Sequence, residues 1–173
     1  MILITSGFLV VGSAFGGVVL TTGLTSSGQV ERTLNDALSR SVNGLEIRGP
    51  VVAITDGQEA NAISIDVALA IGGDDGVNLD PLAPLDRTVV SFIDEANAIR
   101  ELPYTVTWTV GDGDHLLETG ELAAVLIDVS SIYPPLASGR KFLIEVRPPS
   151  GAYLTIKRTM PGGAHLDTIV NLQ

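Results

Sequence analysis

The hydrophobic and polar residues of this chain follow three patterns along its length. Met1 to Val30 contains no Asp, Glu, Lys or Arg, and most of its side chains are apolar or small. Val30 to Val42 carries apolar residues at three- and four-residue steps, which is the spacing of one helix face. From Leu45 onwards the period changes to the alternation typical of strands. The patterns predict one helix over residues 1–43 and a β-domain over residues 44–173.

The uncharged first segment is long enough to cross a membrane as a helix, because roughly 20 apolar residues span the hydrocarbon of a bilayer. Backbone groups in lipid need partners within the segment, which favours a helix despite the glycines. Gly12 and Gly16 stand four apart, and small residues at this spacing let two helices approach closely. Phe8 and Phe15 stand seven apart on one helix face. The residues predicted to pack against other helices are Gly7, Phe8, Gly12, Phe15, Gly16 and Leu20.

The start of the chain leaves two interpretations open. A secretory signal has a basic region before its apolar core, and no basic residue precedes the core here. Either a basic leader has been removed and Met1 is the first residue of the mature protein, or Met1 initiates a plain membrane anchor. In the second case the first basic residues, Arg32 and Arg40, would place the β-domain in the cytoplasm. We prefer the first interpretation, because an acidic β-rich domain is typical of an outer surface.

The second part of the chain predicts about eight strands separated by turn signals. Ile63 to Ile71 alternates strictly, and so does Tyr104 to Val110. The predicted strands are 45–54, 63–71, 87–94, 104–110, 121–129, 141–148, 152–160 and a short one within 165–173. Residues 72–86 and 111–120 are predicted to be loops. The fold class expected is α+β: a long N-terminal hydrophobic helix followed by an immunoglobulin-like antiparallel β-sandwich.

The composition of the chain excludes several kinds of partner and of chemical site. The 173 residues carry a net charge of −10, which argues against partners such as nucleic acid or an anionic membrane surface. Cysteine is absent, so disulfides, thiolate metal sites and cysteine nucleophiles are excluded. The aromatic residues Phe92, Tyr104, Trp108 and Phe142 lie in predicted strands and indicate a core more than a ligand platform.

No motif points to catalysis or to a cofactor. His115 and His165 fall in predicted loops, and no G-x-S-x-G, H-E-x-x-H or phosphate-binding glycine motif accompanies them. Two acidic groups have the oxygen ligands that calcium prefers, but neither has EF-hand spacing, so solvated turns are preferred to a metal site. These groups are Asp74, Asp75, Asn78 and Asp80, and Asp112, Asp114, Glu118 and Glu121. The chain is therefore not predicted to be an enzyme.

Taken together, these segments resemble an archaellin, the subunit of the archaeal swimming filament and a relative of type IV pilins. The resemblance covers the whole chain. It rests on the apolar segment that opens the chain, on the exit of that segment through TSSGQVERTLNDALSRSVNGLEI, and on the C-terminal run that contains KFLIEVRPPSGA.

The resemblance implies a partner set and a location. A prepilin-type peptidase would remove a leader before Met1, the subunit would sit in the membrane before assembly, and the N-terminal helices would form the core of a homopolymeric extracellular filament. The β-domains would form the outer shell of this filament. Its further partners would be the membrane assembly machinery and the membrane motor that turns the filament. The subunit itself would need no cofactor and catalyse no reaction.

Two alternatives belong to other functional classes. One is an adhesive pilin or a membrane-anchored accessory protein, such as a stator, built with a similar anchor and sandwich. The other is an exported enzyme tethered by its helix. Abundance in a sheared surface fraction separates a filament subunit from an accessory protein, and turnover of an ester, glycan or peptide would identify an enzyme.

Overall fold

Two antiparallel sheets make up most of the β-domain in the computed structural model, which describes residues 44–70, 76–162 and 168–172. The described residues all belong to one compact unit of the chain. The helix predicted over residues 1–43 lies outside them. In the described part of the chain, no helix is long and apolar enough to cross a membrane.

Twelve strands are present in the described residues. They are β1 (Leu45–Ile47), β2 (Val51–Thr55), β3 (Ala60–Leu69), β4 (Val77–Asn78), β5 (Val89–Asp94), β6 (Ala98–Ile99), β7 (Tyr104–Val110), β8 (Leu116–Leu117), β9 (Leu122–Asp128), β10 (Lys141–Arg147), β11 (Leu154–Thr159) and β12 (Ile169–Leu172).

The larger sheet has the order β12-β2-β3-β9-β7, with β1 also paired to β3. β1 and β2 lie end to end along the same side of β3, because Leu45 pairs with Leu69 and Val52 pairs with Ser64. The predicted strand 45–54 is thus interrupted. Gly49, with φ of 119°, lies in the interruption, and this backbone conformation favours glycine.

The smaller sheet has the order β11-β10-β5-β6. Its strands β10 and β11, which fall within the predicted strands 141–148 and 152–160, form an antiparallel hairpin. Residues 95–102, which follow the predicted strand 87–94, contain the two-residue strand β6, which folds back on β5.

A third pairing was missed by the sequence analysis. β4 and β8 lie in the two segments predicted to be loops, and they pair with each other. Val77 and Leu117 are fully buried there, so each short strand contributes to the core. Gly76 is required by this packing, because a Cβ at that position would clash with the side chain of Leu116.

The buried faces of both sheets contribute to a single hydrophobic cluster. Phe92 of β5 stacks on Phe142 of β10 with ring centroids 5.8 Å apart, and both rings are buried. Tyr104 is buried in the same cluster and Trp108 packs against it. The prediction that these aromatic residues form the core is confirmed, as is the antiparallel β-rich class, while the immunoglobulin-like label stays a prediction.

Tyr104 links the two sheets by a hydrogen bond. Its hydroxyl donates to the backbone carbonyl of Thr88, just before β5, at 2.9 Å. Burial raises the pKa of Tyr104 from 10.0 to about 12, because the phenolate would lose its hydration. The folded domain therefore favours the neutral phenol of Tyr104 over the phenolate.

Arg140 joins the segment before β10 to the end of β5. One guanidinium nitrogen lies 2.5 Å from Oδ2 of Asp94, whose side chain is only 1% exposed. Another donates to the carbonyls of Pro134 and Pro135. The other oxygen of Asp94 accepts the backbone N–H groups of residues 96 and 97, so this carboxylate is surrounded by donors.

We predict that Tyr104→Phe weakens the loss of unfolding free energy that the parent domain shows as the pH rises above 10. A folded-state pKa of about 12 against 10.0 means that the contribution of Tyr104 is complete below pH 10 and is lost as pH rises towards 12. Chemical denaturation at pH 8, 10 and 11.5 should show a steeper fall in unfolding free energy for the parent than for the variant. At pH 8 the variant should be less stable by about 1 kcal/mol. Parallel pH profiles would contradict the assignment.

A second prediction compares two ion pairs. Arg140→Ala should lower the unfolding free energy by about 3 kcal/mol, because it leaves the buried carboxylate of Asp94 without its cation. Arg87→Ala is the control, since the pair of Arg87 with Glu101 is exposed on both sides and should contribute less than about 1 kcal/mol. Equal losses in denaturant unfolding would contradict the role given to Arg140.

Candidate functional site

The mature N-terminus predicted at Met1 and the residues predicted for helix packing lie outside the described part of the chain. They are Met1, Gly7, Phe8, Gly12, Phe15, Gly16 and Leu20. The described residues instead show how the chain enters the β-domain and which surfaces the domain offers to other molecules.

The entry point at Gly44 is held by both sheets. The carbonyl of Gly44 accepts the N–H of Ala70 at 2.8 Å, just beyond β3, and Gly44 also forms a parallel bridge with Ala152 in the turn between β10 and β11. Leu45 is buried in the core immediately afterwards, and the N–H of Arg48 donates to the carbonyl of Asp66 at 2.8 Å. Gly44, the first described residue, is therefore held by contacts with both sheets.

The outward face of the smaller sheet carries basic residues around an apolar centre, and we call it the cationic face. Strand alternation directs one set of side chains away from the core, since Phe142, Ile144 and Val146 of β10 and Ile156 of β11 are the buried ones. The members of the face are Ile93, Lys141, Leu143, Glu145, Arg147, Thr155, Lys157 and Thr159. In its central row Leu143 lies between Ile93 and Lys157.

One end of the cationic face is held by a short network. Nε of Arg147 donates to Glu145 Oε2 at 3.1 Å, and this hydrogen bond raises the pKa of Arg147 above its ordinary value. The same guanidinium carbon lies 5.6 Å from the ring centroid of Tyr153, within the range of a cation–π contact. Beside it, a shallow depression of about 350 Å³ is lined by residues that include Ile93, Ala98 and Arg100. Only the presence of both lysines in the last fifth of the sequence signalled this face.

The basic side chains that have no carboxylate partner within the described residues all lie in or next to the smaller sheet. Arg48 pairs with Glu46, and Arg87 pairs with Glu101, outside the smaller sheet. Arg140 and Arg147 have their own carboxylates in the smaller sheet or beside it. Among the described residues, four cations have no salt bridge, and all four lie in the smaller sheet or directly after β6. These are Arg100, Lys141, Lys157 and Arg158.

Residues 111–121 form an acidic loop around the short strand β8, exposed over most of its length, whose backbone is fixed by its own carboxylates. Glu121 accepts the N–H of Asp112 at 3.0 Å with one oxygen and the N–H of Glu118 at 2.8 Å with the other. Oδ1 of Asp114 accepts the N–H of Leu116 at 2.8 Å. These are the hydrogen bonds of turns. Within the described ranges no three His, Asp or Glu side chains are grouped closely enough to hold a metal ion.

The segment between β4 and β5 presents two exposed leucines. Leu82 is 87% exposed and Leu85 is 78% exposed, although the segment is well held. Oδ1 of Asp80 accepts the N–H of Leu82 at 2.9 Å, and the Thr88 hydroxyl donates to the carbonyl of Asn78 at 2.7 Å. Leucines exposed on a fixed loop are candidates for contact with another molecule.

One of the two histidines, His115, lies within the described residues. His115 is an exposed loop residue with φ of 72°, and its carbonyl accepts the N–H of Leu79. His165 lies outside the described residues, as do Asp74 and Asp75 of the other acidic group. The interpretation of His115 as a loop histidine agrees with this position.

Comparison with known proteins covers both parts of the chain. The family model described as archaeal-type flagellin matches residues 2–158. A similar protein is "Probable flagellin 1" of Aeropyrum pernix, which is 26% identical over 192 residues, with 95% of this chain and 91% of that protein covered.

Two solved structures share the fold. The archaeal flagellum of Methanospirillum hungatei superposes with a TM-score of 0.72 at 21% identity, and 93% of this chain and 92% of that chain are covered. The crystal structure of an archaeal flagellin from Methanocaldococcus jannaschii gives a TM-score of 0.63 at 14% identity, with 76% of this chain and 97% of that chain covered.

We predict that Glu121→Ala loosens the acidic loop. The variant should lose about 1 kcal/mol of unfolding free energy, because two backbone N–H groups exchange their carboxylate partner for water. Glu118→Ala is the matched control, and it should change stability by less than about 0.5 kcal/mol. If calcium rather than turn geometry governed this loop, calcium would raise the melting temperature of the parent and EDTA would lower it; we expect neither.

Proposed function

The chain belongs to the archaeal-type flagellin family, and on this premise we infer that it is a structural subunit of the archaellum. It is a component of the extracellular filament that serves swimming motility. The single observation that carries this conclusion is the family match, which includes both the uncharged N-terminal segment and the β-domain.

We propose that residues 1–43 form the helix of the filament core and that the β-domain forms its shell. A rod of some 20 apolar residues cannot stay in water, since each buried apolar side chain gains about 1.5–3 kcal/mol. It passes at small cost from lipid to a core of similar helices, because both environments are apolar. The rod would be roughly 65 Å long at 1.5 Å per residue.

Close contact between the rods is assigned to the small residues of this segment. Gly12 and Gly16 provide a flat strip on which a neighbouring backbone can lie. Gly7, Phe8, Phe15 and Leu20 are proposed to complete the packing, the phenylalanines by filling the spaces between helices. The support is the spacing of these residues in the sequence.

The partners follow from this assembly. The first is the chain itself in a homopolymer, and a contact between different surfaces of identical subunits forms a helical filament when it does not close. A membrane holds the rod before assembly, a prepilin-type peptidase removes a leader before Met1, and membrane motor and assembly machinery act on the product. The subunit is proposed to take part as a structural element without catalysis.

Cell fractionation tests the function. Filaments sheared from the cell surface should contain this protein as a main component, visible by electron microscopy, and N-terminal sequencing should begin at Met1. Retention of the protein in the membrane at low copy number would instead identify an anchored accessory protein such as a stator.

Helix packing is tested by enlarging the glycines. Gly12→Leu and Gly16→Leu are each expected to abolish filaments, because the added side chain keeps neighbouring backbones apart. Gly12→Ala and Gly16→Ala are the controls, since a small side chain preserves the close approach, and filaments should remain. The melting temperature of the detergent-solubilised chain should be the same for all four variants. Normal filaments with both glycines replaced by Leu would show that the close packing lies elsewhere.

A further inference from the structure

The unpaired cations of the smaller sheet are unusual in a chain with a net charge of −10. With twice as many acidic as basic residues, carboxylate partners are abundant, and both Arg48 and Arg87 have found one. Lys141 and Lys157 are nevertheless exposed and have no salt bridge within the described residues. Three basic side chains, Lys141, Arg147 and Lys157, thus share one face of a negative domain with a single carboxylate, that of Glu145.

The cationic face also has the anatomy of a protein interface. Its centre is apolar, with Ile93 40% exposed beside Leu143. Its margin is charged, and Tyr153 is 65% exposed next to Arg147. Interfaces combine an apolar centre with a polar margin, and tyrosine and arginine are enriched in them.

A surface of opposite charge is present on the same domain. In the acidic loop, the carboxylates of Asp112, Asp114 and Glu118 are exposed, and no cation among the described residues pairs with them. The loop follows β7 and precedes β9, both of which belong to the larger sheet. The cationic face belongs to the smaller sheet, so the two charged surfaces lie on different sheets.

We propose that the cationic face binds the acidic loop of a second copy of this chain in the filament shell. The proposal rests on the function inferred above. It joins two different surfaces, so it is a heterologous contact and can repeat along a helix without closing. Charge complementarity favours this contact between neighbouring subunits, because other arrangements would bring negatively charged surfaces of the two domains together.

The loop suits this role because its conformation does not depend on the contact. The hydrogen bonds of Glu121 and Asp114 fix the backbone, which leaves the side chain of Glu118 outside the internal network. A preformed loop loses little conformational freedom on binding. Glu118 is therefore the acidic residue that can be changed without loosening the loop.

The test uses charge reversal in cells that carry each variant as their only copy. Lys157→Glu, and the double variant with Lys141→Glu, should reduce the protein in the sheared filament fraction by about tenfold. Arg48→Glu makes the same change of charge on the other sheet and should leave the yield unchanged. Equal melting temperatures of the detergent-solubilised chains would confirm that the variants fold.

The partner surface is tested by rescue. Glu118→Lys alone should also reduce filaments, and Glu118→Lys combined with Lys157→Glu should restore them, because the pair is re-formed with its signs exchanged. Normal yields from the lysine variants would overturn the cationic face as a contact. A loss that Glu118→Lys does not repair would overturn the acidic loop as its partner.

Two other outcomes are distinguishable from these. Lysine variants that form normal filaments but no longer adhere to anionic surface glycans would show that the face binds a different molecule and would overturn the proposal. Absence of the parent protein from filaments would refute the inferred function itself, whatever the variants do.

Discussion

Burial of one side of each sheet in a common core is the constraint on which the surface of this domain depends. Phe92 and Phe142 stack inside that core, and their positions leave Ile93 and Leu143 no direction but outwards. The chemistry of the outer faces is therefore decided residue by residue along each strand. A one-residue slip of β10 would exchange Lys141 for Phe142 at the surface and remove both the core and the charge.

The junction at Gly44 ties the start of the β-domain to both of its sheets. Here the chain is joined to the end of β3 by one hydrogen bond and to the turn after β10 by a bridge, and Leu45 is buried directly behind them. A load that enters at residue 44 is thus divided between the two sheets instead of peeling one strand away.

Much of the fold could be predicted from the sequence, because strict alternation of apolar and polar residues over five or more positions indicates a β-strand. Tyr104–Val110 was predicted to the residue. The pairing of β4 with β8 was missed because two-residue strands leave no period to read, and only the apolar Val77 and Leu117 in polar surroundings marked them. The cationic face was missed for another reason. Alternation in KFLIEVR places Lys141 outwards, but whether a cation has a partner depends on neighbouring strands that are distant in sequence.

The strands at the borders of the two sheets have a further consequence for a protein that polymerises. A bare strand edge exposes unpaired backbone groups and can recruit any other strand. Here β6 has two residues and β12 has four, β7 is irregular between Trp108 and Val110, and β11 carries Lys157 and Arg158. Short, distorted and charged borders resist backbone pairing between subunits. These strands therefore disfavour growth into an amyloid-like ribbon. Subunits at high local concentration then associate through contacts between side chains.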